Sequence, residues 1–93
     1  MITKITNDEE FEDAQKTAEI GRLNQVALDR LRDYLKARKE MIINSFETGE
    51  CKGNDITDKL AELRVMRDFE DKCNTRIAYG KMAERELSRY GKQ

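Results

Sequence analysis

Turn-forming residues are concentrated in one segment of this chain, residues 48–54, and that constrains the fold more than any other feature. The segment reads Thr-Gly-Glu-Cys-Lys-Gly-Asn, and the chain has no proline. Glycine and asparagine commonly end helices, whereas both flanking stretches show a helical repeat of apolar residues. We therefore predict one all-α domain spanning the whole 93-residue chain. It has two long helices, residues 7–47 and 55–90, an N-terminal extension at 1–6 and a tail at 91–93.

The start of the first helix carries a capping signal. Thr6 with Glu9, or Asn7 with Glu10, has the spacing of a capping box. In that motif two side chains satisfy backbone N–H groups that have no partner within the helix. Acidic residues also suit the positive end of the helix dipole, so we expect the helix to begin here.

Small and apolar residues recur on alternating three- and four-residue steps in both helices, which indicates a heptad-like seam. If the chain reverses between residues 50 and 51, facing positions have numbers that add to about 101. The sequence therefore predicts a long antiparallel helical hairpin that assembles further into a helical bundle. The predicted seam pairs are Phe11 with Tyr90, Ala14 with Leu87, Ala18 with Ala83, Leu28 with Cys73, and Leu35 with Met66.

Each predicted helix contains an internal glycine, and the same rule places Gly21 opposite Gly80. Glycine inside a helix costs about 1 kcal/mol relative to alanine, so its presence needs a reason. We favour a close approach of the two backbones at this level. The alternative is a three- or four-helix bundle with breaks near Gly21 and Gly80.

Polar residues predict further pairings between the helices. Gln25 and Arg76 face each other in the predicted seam, where a hydrogen bond would fix the register. We also expect the basic stretch 30–39 to lie near acidic residues of the second helix. The acidic start of the first helix, residues 8–13, is expected near basic residues between 81 and 92. Exposed pairs contribute only about 0–1 kcal/mol each, so they select an orientation more than they stabilise it.

A further row of apolar residues, the second ridge, lies off the seam. A two-helix hairpin cannot enclose it, because each helix has only one neighbour, and exposed apolar patches often mark interfaces. We therefore expect a homo-oligomer, with a dimer of hairpins favoured. Coverage by a different protein partner and a compact monomer are the alternatives. The candidate interface residues are Ile20, Leu23, Ala27, Leu31, Tyr34, Met41, Val65, Tyr79 and Met82.

The chain contains no histidine, which excludes most known catalytic triads and many zinc sites. We predict no catalytic residue, no metal ligand and no cofactor, and hence a protein that is not an enzyme. The two cysteines, Cys51 and Cys73, fall in the turn and on the seam. At 1.5 Å per helical residue, Cys73 lies roughly 28 Å from the turn, too far for an intrachain disulfide.

Charge is nearly balanced, with 18 basic and 19 acidic residues and a net charge of −1. This balance favours neither nucleic acid nor a membrane surface as a partner. No apolar run has the roughly 18 residues of a membrane span, and residues 1–6 lack the apolar run of a secretion signal. We therefore expect a cytoplasmic protein. Arg32, Lys36 and Lys39 share one ridge and are the candidate residues for nucleic-acid binding.

The absence of catalytic equipment and the second ridge together predict a small protein–protein interaction module that acts by binding. An adaptor, an assembly factor or an inhibitor of a larger protein or complex fits this build, and so does a phage or mobile-element origin. One alternative is a nucleic-acid-associated regulator that uses the Arg30–Lys39 ridge. A second alternative is a structural helical subunit of a secreted or virion assembly.

Overall fold

The computed structural model describes residues 5–91 and contains two antiparallel helices, α1 (Asp8–Glu47) and α2 (Asn54–Gly91). Helix α1 has 40 residues and α2 has 38, and the Cα trace extends over 62 × 20 × 13 Å. Residues 5–91 contain no strand, and the predicted all-α hairpin is confirmed. Residues 1–4 of the predicted extension and 92–93 of the predicted tail lie outside the described residues.

Helix α1 begins with the second of the two expected capping boxes. The side-chain Oδ1 of Asn7 accepts a hydrogen bond of 2.8 Å from the backbone N–H of Glu10. In return, the carboxylate of Glu10 accepts from the backbone N–H of Thr6 at 3.1 Å and from its hydroxyl at 2.8 Å. These bonds satisfy N–H groups that lack partners at a helix start.

The turn between the helices depends on two glycines in the left-handed conformation. Gly49 has φ +75° and Gly53 has φ +61°, values that residues with a Cβ adopt only at a cost. Gly49 follows the C-cap residue Thr48 and ends α1. The backbone N–H of Cys51 donates to the carbonyl of Ser45 at 3.1 Å and satisfies one of the last carbonyls of the helix.

The seam follows the pairing predicted from the sequence. The rings of Phe11 and Tyr90 are 5.3 Å apart between centroids. Leu28 shares a buried cluster with Cys73, and Leu35 shares one with Met66. On α1, residues at seven-residue intervals are buried, which is the spacing of a heptad seam. The buried seam residues are Ala14, Ala18, Gly21, Leu28, Leu35 and Ile42 on α1, and Met66, Cys73, Ile77, Gly80 and Ala83 on α2.

The two internal glycines allow the helix backbones to touch. A Cβ placed on Gly21 would lie 2.8 Å from the Cα of Gly80 and 3.1 Å from the carbonyl oxygen of Arg76. A Cβ on Gly80 would lie equally close to the Cα of Gly21. Both helices continue unbroken through these positions. The close-approach interpretation is therefore correct, and the alternative bundle with breaks near Gly21 and Gly80 is wrong.

The predicted polar pair in the seam does not form. Gln25 donates to Asp29 on its own helix at 2.9 Å, and Arg76 is exposed. Ile77 occupies the buried position instead. The buried positions on α2 therefore run from Cys73 to Ile77, four residues further on, and then to Gly80, three residues beyond it. Burying a guanidinium without a charged partner is costly, whereas burying Ile77 is favourable, which explains the different step.

The size of the seam side chains changes along the rod. Near the turn the core contains Leu35, Ile42 and Met66, with Phe46 and Leu63 packed against them. In the open half the buried residues are mainly alanines and the glycine pair, and at the chain ends Ile5 is buried with Phe11, Leu87 and Tyr90 packed against this cluster. The helices therefore pack through large side chains at the closed end and approach most closely in the open half.

Candidate interaction surface

Ion pairs across the seam define the two faces of the hairpin. Residues 38 and 39 of α1 flank its buried row on opposite sides. Arg38 forms a two-pronged ion pair with Glu62 of α2, with nitrogen–oxygen distances of 3.1–3.2 Å. Lys39 pairs with Glu70 of α2 on the other side. We refer to the side with the Arg38–Glu62 pair as the apolar face and to the opposite side as the charged face.

The apolar face combines rows from both helices. Four α1 residues, Ile20, Ala27, Tyr34 and Met41, recur every seven positions on the flank that carries Arg38. Val65 and Tyr79 occupy the matching row of α2, and further apolar side chains lie between each row and the seam. The apolar face consists of Ile20, Ala27, Leu31, Tyr34, Met41, Val65, Phe69 and Tyr79.

The structure brings the two predicted parts of the second ridge to the same side. Tyr79 lies level with residue 22 of α1 and Val65 with residue 36, because facing numbers add to about 101. Tyr79 therefore lies at about the same level along the rod as Ile20, and Val65 at about the level of Tyr34. Leu23 and Met82 lie at the outer edges of the same side rather than on the face itself.

Most of the predicted interface residues are open to solvent in the single hairpin. Seven of the nine are exposed, from 41% of the residue surface for Leu31 to 66% for Val65. Ala27 and Met82 are half-buried. Large apolar side chains at this exposure keep about half of their surface in water in the lone chain, and a covering partner would bury that remaining part.

Sequence reasoning missed three charged residues on or beside the apolar face. Lys72 continues the seven-residue row of Val65 and Tyr79, and Arg76 lies between that row and the seam. Asp68 lies at the outer edge of α2. All three are exposed, and none has an ion-pair partner among residues 5–91. The seven-residue spacing was the available signal, but its meaning depended on knowing the orientation of α2.

The charged face carries the predicted nucleic-acid ridge. Arg32, Lys36 and Lys39 line an open groove of about 460 Å³ together with Glu40 and Glu70. Lys39 pairs with Glu70, and Arg32 pairs at 3.0 Å with Asp29. The carboxylates offset the positive charge of the groove, so the geometry gives a phosphate backbone little net attraction.

The open half of the charged face contains another ion pair between the helices. Arg22 binds Glu84 at 3.0 Å and Glu19 of its own helix at 3.1 Å. The hydrogen bond to Glu19, assisted by Glu84, raises the pKa of Arg22 above its ordinary value. These contacts are exposed, so they orient the helices more than they stabilise them.

The acidic start of α1 does not pair as expected. Glu10 is engaged in the cap, and Arg89 pairs at 2.7 Å with Glu86 of its own helix. No ion pair within residues 5–91 joins the segment 8–13 to α2. For Glu10 and Arg89 the physical reason is that a local partner holds the side chain at less entropic cost than a partner on the neighbouring helix.

The cysteines and carboxylates of the described residues form neither a disulfide nor a metal-binding cluster. Cys51 and Cys73 are both free thiols, the first half-buried in the turn and the second buried in the seam. Residues 5–91 contain no group of three or more potential ligands that could hold a metal ion. Neither described helix has a segment apolar and long enough to cross a bilayer.

Comparisons with protein-family models, with curated proteins and with solved structures gave no match. The two faces of the hairpin are the features of this structure that bear on function.

Proposed function

We propose that this protein is a non-catalytic protein–protein interaction module that binds through its apolar face. The observation that supports the proposal is the asymmetry of the rod. One face, with its outer edge, carries seven of the eleven exposed large apolar side chains, whereas the rest of the surface carries the other four, Val26, Ile43, Ile56 and Leu60, among ion pairs and charged residues. An adaptor, an assembly factor or an inhibitor of a larger complex would use such a face in the same way. The cytoplasmic location expected from the sequence stays a prediction.

The strip of apolar side chains on this face is large enough to supply useful binding energy. Fully burying one large apolar side chain contributes roughly 1.5–3 kcal/mol. The face has six exposed residues of this kind, Ile20, Leu31, Tyr34, Met41, Val65 and Tyr79. Association costs about 4–15 kcal/mol in lost translational and rotational freedom, so the strip must be covered along most of its length. A partner that covered only one end would bind weakly.

The nucleic-acid alternative receives no specific support. Its ridge shares a groove with Glu40 and Glu70, and two of its three basic residues are engaged in ion pairs. We expect affinity for duplex DNA no tighter than about 10⁻⁶ M at physiological salt.

The test uses two double variants that differ only in the side of α1 they change. Ile20→Glu with Leu31→Glu introduces charges on the apolar face, at residues that are 47% and 41% exposed. Val26→Glu with Ile43→Glu introduces the same charges off that face, at residues that are 48% and 47% exposed. Similar exposure makes the second variant a matched control for net charge and for lost surface area.

Circular dichroism checks that both variants keep their helicity. Light scattering then measures self-association, and affinity capture from an extract of the source organism measures binding to other proteins. We expect the apolar-face variant to lose association and the control to retain it. If both variants associate as the wild type does, or both lose association equally, the apolar face is not the binding surface.

A further inference from the structure

We propose that the occupant of the apolar face is a second copy of this chain, packed antiparallel about a two-fold axis close to Leu31. The inference rests on the proposed function and names its partner. In this arrangement α1 lies on α1 of the second copy and α2 lies on α2, which gives an antiparallel four-helix bundle.

The first support is the order of side-chain sizes along α1. An axis between residues 30 and 31 brings Ile20 opposite Met41 of the second copy and Ala27 opposite its Tyr34. The smallest residue of the row therefore faces the largest, and the two intermediate residues face each other. Alternation of large and small residues across an interface lets the layers interdigitate. The row is thus complementary to itself in the antiparallel direction.

The second support is charge complementarity on α2. The same axis passes between residues 70 and 71 of α2, because they lie level with residues 30 and 31 of α1. Lys72 then lies opposite Phe69 of the second copy and adjacent to its Asp68. Within residues 5–91 of a single chain, neither Lys72 nor Asp68 has an ion-pair partner. Arg76 comes within about one helical turn of Glu62 of the second copy. Each unpartnered charge therefore gains an opposite charge nearby.

The competing two-fold axis runs along the rod and places α2 of one copy over α1 of the other. Lys72 would then lie level with residue 29 of the second copy and beside its Arg30. On this side of α1, the positions between Ile20 and Met41 include no carboxylate. Covering two cations with a strip that contains no acid leaves them unpaired and partly desolvated, which is costly. The antiparallel axis avoids this penalty for Lys72, which gains Asp68 of the second copy, whereas the two Arg30 side chains lie near the axis at the outer edge of the interface.

The broad side that carries the apolar face has the area that a stable dimer needs. A rod of 62 × 20 Å presents about 1,200 Å² on each broad side, compared with about 800 Å² per partner in stable interfaces. The apolar strip spans residues 20–41, or roughly 31 Å at the helical rise. It covers about half of that side, and the remainder forms a polar rim like those of stable interfaces.

Cysteine cross-linking distinguishes the two axes. Cys51→Ser removes the half-buried native thiol, and the buried Cys73 stays as it is. In this background Leu31→Cys lies beside its own symmetry mate. Met41→Cys lies roughly 31 Å along the rod from Met41→Cys of the second copy, but beside residue 20 of that copy. A disulfide requires Cα atoms within about 7 Å.

After mild oxidation, a non-reducing gel and mass spectrometry should show Leu31→Cys mainly as a covalent dimer. Met41→Cys alone should remain uncross-linked, and a mixture of Ile20→Cys with Met41→Cys should give the heterodimer. The competing axis places α1 over α2 and predicts no cross-link between residues 20 and 41, so absence of this heterodimer would overturn the antiparallel axis, as would self-cross-linking of Met41→Cys. A wild-type protein that light scattering shows to be a monomer would overturn self-association. In that case the proposed function still stands if the apolar-face variant alone loses captured partners.

Discussion

Gly21→Ala tests the closest contact in the molecule. The added methyl group would lie 2.8 Å from the Cα of Gly80 and 3.1 Å from the carbonyl oxygen of Arg76. Both neighbours are backbone atoms, which cannot rotate away as the end of a side chain can. The helices must therefore separate locally by several tenths of an ångström.

Two opposing contributions determine how much Gly21→Ala changes the free energy of unfolding. Alanine is favoured over glycine inside a helix by about 1 kcal/mol. Overpacking a close contact typically costs about 1–3 kcal/mol. Separation also loosens Ala18 and Ala83, which have no exposed surface. The cost should exceed the gain, giving a net loss of about 1 kcal/mol, or a melting temperature lower by roughly 4–8 °C for a chain of this size.

Thermal unfolding followed by circular dichroism measures the change, at one fixed protein concentration because association shifts apparent stability. Ala37→Gly, at an exposed helical position, calibrates the propensity term in the same chain. Adding Gly80→Ala to Gly21→Ala should cost more than the two single changes together, because two methyl groups then collide. A Gly21→Ala protein that is more stable than the wild type by the full propensity term would refute the close approach.

Three further predictions follow from the fold. Ile42→Ala should lower the free energy of unfolding by about 2–5 kcal/mol, because Ile42 is only 1% exposed. Ile43→Ala, at a residue that is 47% exposed, should change it by less than about 1 kcal/mol, and urea titration compares the two variants. Asn7→Ala should cost about 0.5–2 kcal/mol through the lost cap, measured in the same way. Under native conditions Cys51 should react with a thiol reagent well before Cys73, which is 3% exposed, and denaturant should abolish the difference.

The seam could be predicted from the sequence because its pattern repeats many times, and each facing pair of residues tests the same register. Once one turn was located, every proposed contact had to obey the same pairing, and Gly21 opposite Gly80 did so. The exact step at Ile77 could not be predicted, since a three-residue step to Arg76 fits a heptad equally well. Only the cost of burying a charge decides between them, and that depends on the local distance between the helices.

The apolar face was only partly predictable for a related reason. The exposed rows on α1 and α2 could be recognised separately from their periodicity. Whether they fall on the same side depends on how far each helix is rotated about its own axis. A rotation of α2 by one position, about 100°, would have moved Val65 and Tyr79 away from Tyr34. The same rotation determines that Lys72 and Asp68 lie on or beside the apolar face, so their position could not be predicted from the sequence.

The gradient of side-chain size along the seam has a consequence for the order of folding. Contacts such as Ile42 with Met66 close a loop of about 24 residues, whereas Phe11 with Tyr90 closes one of about 79. The longer loop costs roughly 1 kcal/mol more in chain entropy, and the alanines and glycines beside it return little until the helices touch. Contacts between the helices should therefore form first near the turn and then progressively towards the termini. Substitutions near the turn should slow folding, and those in the open half should mainly speed unfolding.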